Sequence, residues 1–473
     1  MTDAVVVGSG PNGLAAALTL AEQGVNVRVL EARKTIGGGT RSSEHTVPGL
    51  IHDDCSAFHP TGVASPFMRG LGLEEHGLQW LWPEVDLAHP LDGGRAGVLW
   101  RDLDRTVAEL GVDGKSWSRL VGRTARTFDA LAEDVFRPIL HVPHHPLTLA
   151  RFGLNALLPA SWSVRRWETD EARALFGGVA AHAFSSLRTP LSSSVGLMLA
   201  AAGHAYGWPV AKGGSRSITD AMAAKLEKLG GVIETGVTVS SINELGNPDL
   251  VMLDVAPDAA VRILGNRLPG RVRRAYERFR FGPAAFKVDF AVEGDIPWTN
   301  EHVRHAGTVH LGGTFEQIAE AEGQIVRGIM PERPLVLVGQ QYLADPSRSV
   351  GELHPIWAYA HVPRGYPGDA TEAIIAQIER FAPGFRSQIR HTFVRDVSDM
   401  EAYNANYVGG DISAGYNNAL QIAMRPRIAI NPYKTGVPGA YLCSSSTPPG
   451  GGVHGMCGFN AATSALEYLE KHA

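Results

Sequence analysis

Near the start of the chain stands Ala4-Val5-Val6-Val7-Gly8-Ser9-Gly10-Pro11-Asn12-Gly13-Leu14. A short β-branched run enters a glycine turn, and an apolar face at Leu14, Ala17, Leu18 and Ala21 then follows helical spacing. Gly24 stands where a helix-ending glycine belongs, and Val25-Asn26-Val27-Arg28-Val29-Leu30 reads as the next strand. This is the grammar of a βαβ unit. Gly8, Gly10 and Gly13 form G-x-G-x-x-G, and Glu31 closes the second strand eighteen residues after Gly13. In that context the motif predicts a dinucleotide site: Gly10 lets the backbone approach a pyrophosphate, the helix N-terminus attracts its charge, and Glu31 meets a ribose. Nicotinamide and flavin dinucleotides share the fingerprint, so the motif alone leaves the choice open.

The other 460 or so residues bound the class, about three typical domain lengths in all. The chain has 473 residues, 44% hydrophobic and 19% charged, which is the composition of a packed protein rather than a disordered one. Net charge is −5 with no run of like charge, so nothing in the overall electrostatics invites nucleic acid or an anionic membrane surface. Three cysteines give no disulfide framework and suggest a reducing compartment, so a cytoplasmic location is expected. No signal peptide is read at the N-terminus, and no apolar stretch reaches the ~20 residues of a spanning helix.

Further along, residues 115–205 are mainly helical in pattern, with Trp117, Leu120, Val121, Thr124, Phe128, Leu131 and Val135 spaced as one helix face. Ser217 and Asp220 read as an N-cap pair, Gly230-Gly231 ends that helix, and strands are expected at 232–234 and 237–239. Phe286-Lys287-Val288-Asp289-Phe290 alternates as a strand, with more strands at 334–339 and 356–361. The last unit repeats the opening order, with a strand at 440–443, a Ser/Pro/Gly loop and a helix from about 459 to 471.

Two further glycine clusters bear on the ligand. Gly37-Gly38-Gly39-Thr40-Arg41 lies just past Glu31-Ala32-Arg33, and Thr447-Pro448-Pro449-Gly450-Gly451-Gly452-Val453-His454-Gly455 opens the last helix. That helix's N-terminus could stabilise the negative charge of a reduced flavin. With Gly207-Trp208-Pro209, Gly213-Gly214 and Gly230-Gly231-Val232-Ile233, these clusters resemble the phytoene-desaturase-type family of FAD-dependent oxidoreductases, within the superfamily that also holds flavin amine oxidases. The closing motif departs from the carotenoid desaturases at Ser444, Ser446 and Pro448, and resembles instead a less characterised branch. The resemblance implies a tightly bound, non-covalent FAD. It would be held by Gly8, Gly10, Pro11, Asn12, Gly13, Glu31, Ala32, Arg33, Gly38, Gly39, Thr40, Val239, Ser445, Gly452 and Val453, with Val239 at the adenine.

The fold expected is α/β: a Rossmann-like FAD-binding domain from residues 1–65, 206–265 and 400–473, and a mixed-sheet substrate domain from 66–205 and 266–399 with the helical insertion. Lys287 points away from Phe286, Val288 and Phe290 together with Asp289. Its surroundings resemble the amine-oxidase strand whose lysine reaches flavin N5 through water, against the plainer reading of a lysine on a solvated face. His454, in the flavin-facing loop, is the second catalytic candidate, as an imidazole able to move a proton near neutral pH. Cys443 and Cys457 read as buried structural thiols. His302, His305 and His310, or His141, His144 and His145, lack a recognisable ligand spacing, so no metal is expected.

The activity these readings imply is hydride transfer from a C–H bond of an organic, lipophilic small molecule to flavin N5, with electrons passed to oxygen or a quinone. Three alternatives stay open: a flavin amine oxidase with Tyr403, Tyr407 or Tyr416 as aromatic walls, a redox-neutral flavoprotein isomerase, and a non-enzymatic FAD-bound interaction protein. The apolar segment with Leu147, Leu149, Phe152, Leu154, Leu157, Leu158 and Trp162 is expected to pack in the core, line a lipophilic pocket or touch a membrane peripherally.

Overall fold

The computed structural model describes residues 2–471. Its first layer is a five-stranded, wholly parallel sheet. The strand β1 (Asp3–Val7) lies at the centre, between β2 (Asn26–Glu31) and the strand Leu250–Leu253, with Val232–Thr235 and Ala440–Leu442 at the two edges. The apolar runs read from the sequence are therefore strands buried on both faces. One face carries α1 (Pro11–Ala21), which begins on a proline at its first turn and buries every residue from Asn12 onward. Its alanines let the last helix, Met456–Glu470, approach so closely that a Cβ on Gly458 would lie 1.9 Å from the Asn12 carbonyl oxygen. On the other face Val5, Val7, Leu30 and Leu253 pack against Ala260, Ile263 and Leu264 of the helix Pro257–Leu264.

The second layer is a seven-stranded mixed sheet, ordered Ile389–Arg395, Ala284–Glu293, Leu353–Val362, Val336–Gly339, Ala306–Leu311, Val85–Pro90 and Ala96–Leu99. Only the pair of Ala306–Leu311 with Val85–Pro90 is parallel. Phe286, Val288 and Phe290 share one face with Ile374, Ile378 and Phe381 of the helix Thr371–Phe381. Ala285, Leu337, Trp357 and Tyr359 belong to the other face, which joins the core of the helical layer between residues 103 and 206. Lys287 is 2% exposed and Asp289 0%, so the solvated-face reading of this strand does not hold: both faces of the sheet are covered.

Three local expectations differ. The periodic run from Trp117 to Val135 is not one helix but Gly114–Trp117, a wider turn over Ser118–Gly122, Arg123–Arg126 and Phe128–Val135. The backbone stays helical through Gly122, which packs so near Leu103 that a Cβ would come within 2.6 Å of a methyl carbon, and leaves the helical region at Thr127, at φ −116° and ψ 23°. The helix Arg216–Lys228 starts before Ser217, whose hydroxyl donates instead to the Lys212 carbonyl at 2.7 Å, and Asp220 pairs with Arg216 at 3.6 Å. Residues 237–239 run extended without a strand ladder, held by the Val237 N–H donating to the Glu31 carbonyl at 2.8 Å.

Candidate active site

Three loops meet at the carboxyl end of the parallel sheet and border one cavity of about 680 Å³. Gly8, at φ +104°, turns the chain out of β1, and Gly10 begins α1. Glu31 is fixed between them: it accepts from the Ser9 N–H at 3.0 Å and the Ser9 hydroxyl at 2.6 Å, and from the Arg33 N–H at 2.8 Å. Arg41 approaches it at 3.3 Å. The second loop closes over the first, since a Cβ on Gly38 would stand 3.0 Å from Gly10 Cα and one on Gly39 would stand 2.1 Å from the Tyr407 hydroxyl. The Tyr403 hydroxyl donates to the Gly38 carbonyl at 2.8 Å. The closing loop is tied in by Asn12, whose Nδ2 donates to Ser445 Oγ at 3.0 Å while its buried Oδ1 has no protein partner.

Of the residues expected to hold the cofactor, Gly8, Gly10, Pro11, Asn12, Glu31, Ala32, Arg33, Gly38, Gly39, Val239, Ser445, Gly452 and Val453 line the cavity. Gly13 and Thr40 do not. A Cβ on Gly13 would meet the Gly8 carbonyl at 2.1 Å, so this glycine serves the strand–helix packing. Thr40 is fully buried and turns its hydroxyl to the Gly37 carbonyl at 2.8 Å and to Thr219 at 3.2 Å.

The two catalytic candidates differ from expectation. The Lys287 ammonium is bonded to the Asp289 carboxylate, which also faces His52 at 3.5 Å. Lys287 lies behind Cys55 and Tyr359, which form the cavity wall, and is itself not part of that wall. His454 does border the cavity, but burial pushes its imidazole down to about 4, so it stands neutral near pH 7 rather than poised to exchange a proton there. Its Nδ1 accepts from the Met456 N–H at 3.1 Å, and its ring stacks obliquely on Phe136 at 5.4 Å.

Asp254 is the residue the sequence reading missed. It follows the strand Leu250–Leu253, accepts from the Gly13 N–H at 2.9 Å, and would lie 2.9 Å from a Cβ on Gly10. Burial pushes its carboxyl up to about 7, and the nearby Glu31 charge adds to the effect. A lone acid directly after a parallel strand was the available signal.

Beyond the glycine loops the cavity becomes a chamber. Phe136, Phe152, Phe184, Val195, Met198, Leu199, Trp208, Leu337, Trp357 and Tyr359 wall it. His182 stands in this wall with its Nε2 3.0 Å from Nε2 of the fully buried His310, and burial pushes His182 down to about 3. Tyr403 and Tyr407 border the cavity and Tyr416 does not. Cys443 and Cys457 are buried and outside it, and burial raises both thiols, Cys457 to about 12. His302 and His305 pair with surface carboxylates, away from buried His310.

The cradle fits FAD. Glu31 would hold the ribose, side-chain-free backbone from two loops and the unpartnered buried Asn12 Oδ1 would border the pyrophosphate, and the glycine-rich entrance of the last helix would face the flavin. Fold and site together define a dinucleotide-binding protein with a Rossmann-like parallel sheet and a mixed-sheet second layer.

Residues 6–71 match the NAD(P)-binding Rossmann-like domain family. Over 97% of its length the chain is 24% identical to pyridine nucleotide-disulfide oxidoreductase domain-containing protein 2 of Mus musculus, covering 92% of that protein. This relative belongs to the branch suggested by the departures in the closing motif. Among solved structures, an oxidoreductase from Methanosarcina mazei superposes with a TM-score of 0.65 at 16% identity, over 98% of this chain and 100% of that one. Putrescine oxidase with bound putrescine superposes at 0.61 and 18% identity, over 99% of each chain.

Proposed function

We propose that the protein is an FAD-dependent dehydrogenase or oxidase that takes hydride from a C–H bond of an uncharged, lipophilic small molecule. The observation that carries this reading is the chamber wall: ten aromatic and aliphatic side chains surround it, while among the described residues the only carboxylates bordering the cavity, Glu31 and Asp254, stand at the glycine loops. A cationic substrate would leave its charge without a counter-ion in an apolar site, at a cost of several kcal/mol by ~Born-type reasoning. FAD supplies the hydride acceptor, its N5.

The chain's own residues bind, orient and exclude water. Trp357, Tyr359 and Phe184 offer flat faces, with the Phe184 and Tyr359 rings parallel within 8° at 6.1 Å. Neutral His182, backed by His310, stands on that wall with Thr308 and Ser194 among the polar groups able to hydrogen-bond a substrate oxygen. The amine oxidases that share the fold act on substrates that carry a nitrogen, and putrescine is one of them by the name of that structure. The two readings separate when the holoprotein is titrated with an alcohol and an amine of the same carbon skeleton while the flavin spectrum is followed. Saturable perturbation by the alcohol at lower concentration supports the uncharged substrate; tighter saturation by the amine overturns it.

A further inference from the structure

The structure assigns a second role to the outer side of the chamber wall: it is a docking face for an anionic lipid bilayer. This inference rests on the lipophilic-substrate reading for its purpose but not for its test. Two short helices, Pro146–Ala156 and Ala419–Ala423, line the chamber with Phe152 and Ile422 respectively. Their opposite sides are apolar as well and face solvent: Leu147 and Leu154 are each 72% exposed. The loops beside them add Val142, Ile428 and Ile430 at 86%, 72% and 83%. Residues 138–140 and 423–432 border a common surface hollow, so the two segments form one patch. A helix apolar on both sides, with one side walling a cavity, has its outer side unaccounted for by core packing.

Charge says what covers the patch. The protein carries −5 overall, yet no Asp or Glu occurs between Asp134 and Glu168 or between Asp411 and Glu467. The same segments carry Arg137, Arg151, Arg165, Arg166, Arg427 and Lys434. Among the described residues none of these six has a carboxylate within ion-pair distance, so their charges are not neutralised by the protein itself. Glu133 at the edge is engaged by His144 and His145 at 3.4 and 3.2 Å. Trp162, 57% exposed, and Arg165 above its ring at 5.9 Å complete a border of the kind that settles at a headgroup layer. Exposed apolar side chains on segments that carry cations and no acid match an anionic bilayer surface, which supplies acyl chains and negative charge together. A lipophilic molecule would then enter the chamber between these helices without crossing water. The absence of a charge run had argued against such a surface; the cations stand singly or in a pair within two stretches that hold no acid.

The test is flotation of the holoprotein with phosphatidylglycerol–phosphatidylcholine vesicles and with phosphatidylcholine vesicles alone. The inference expects recovery with the anionic vesicles, and about tenfold less with the neutral ones or at high salt. Leu154→Glu and Ile430→Glu, both at exposed positions, should each lower recovery by about tenfold, while Val232→Glu on the far edge strand should not. Retained flavin absorbance shows that the variants are folded. No flotation with anionic vesicles, or flotation unaffected by Leu154→Glu and Ile430→Glu, overturns the inference. A wild-type dimer that Leu154→Glu dissolves, with no lipid binding, would give the face to a second copy of the chain and equally overturn it. Because no substrate is added, failure here leaves the chamber chemistry untouched.

Discussion

Asp254→Asn isolates a charge that the fold holds at a cost. Burial pushes the Asp254 carboxyl up to about 7 from an ordinary 3.8. Between those values the folded state keeps a proton that the unfolded state has lost, so stability falls as pH rises from about 4 to about 7 and is flat above. The difference of about 3 pH units corresponds to about 4 kcal/mol at pH ~8, an upper bound because the site can relax. Asparagine keeps an acceptor for the Gly13 N–H at the same place, 2.9 Å in the wild type, and carries no charge to desolvate. The assay is urea unfolding of flavin-free protein at about pH 5 and about pH 8; the variant should gain several kcal/mol over wild type at the higher pH and less than about half of that at the lower. Pyrophosphate approaches the same glycine loop, so the variant should also bind FAD more tightly at pH ~8, where wild type presents a carboxylate to it. Equal stabilities of variant and wild type at both pH values would refute the reasoning and mean that Asp254 is ionised at no cost.

Gly10→Val should abolish visible flavin absorbance in the purified protein, because its Cβ would stand 2.9 Å from Asp254 Oδ2 and 3.9 Å from Gly38 Cα in the space the pyrophosphate needs; a yellow variant refutes this. Acid precipitation of wild type should leave all flavin in the supernatant, and flavin retained by the pellet would show a covalent link. Lys287→Met leaves the Asp289 carboxylate buried and uncompensated, so it should cost about 3–5 kcal/mol, and adding Asp289→Asn should recover much of it; equal losses in single and double variants would contradict the buried pair. Burial holds His59, His89, His204 and His454 down to about 4 and His182 to about 3. Unfolded imidazoles bind protons from about pH 6.5 downward, so these groups lower stability as pH drops toward 4; at pH ~5 they take up about five protons on unfolding while Asp254 and Asp86, held protonated by burial, release about two, a net uptake of about three, and a measured net uptake below about one contradicts it.

The parts of this molecule legible in the sequence are those governed by period and by glycine. β1, α1 and β2 follow from a β-branched run, a glycine turn and a 3.6-residue apolar spacing, all local properties. Most residues expected at the cofactor line the cavity because they belong to that same turn or to loops of the same kind. What was illegible depends on what covers a surface. Alternation along Ala284–Glu293 shows that Lys287 and Asp289 share a face, yet cannot show that helices bury that face as fully as the other. The periodic run from Trp117 to Val135 is interrupted at Thr127, where the backbone leaves the helical region, although the apolar spacing continues across it. Asp254 belongs to no motif, and its meaning arises from Gly10 and Gly13, more than 200 residues earlier in the chain. The apolar segment around Leu147, Leu154 and Trp162 was legible in the sequence as a candidate for the core, a pocket or a membrane surface; which of its leucines face solvent, such as Leu147 and Leu154, depends on the packing around them.

The central claim, a flavin oxidoreductase with a chamber for uncharged lipophilic molecules, is tested most directly by anaerobic mixing of the holoprotein with paired alcohols, polyenes and amines while the oxidised flavin absorbance is followed. The account predicts that an uncharged lipophilic compound bleaches the flavin, and that oxygen or a quinone then restores the colour. Bleaching confined to the amines, or a flavin that no member of the series reduces while dithionite does, would contradict it.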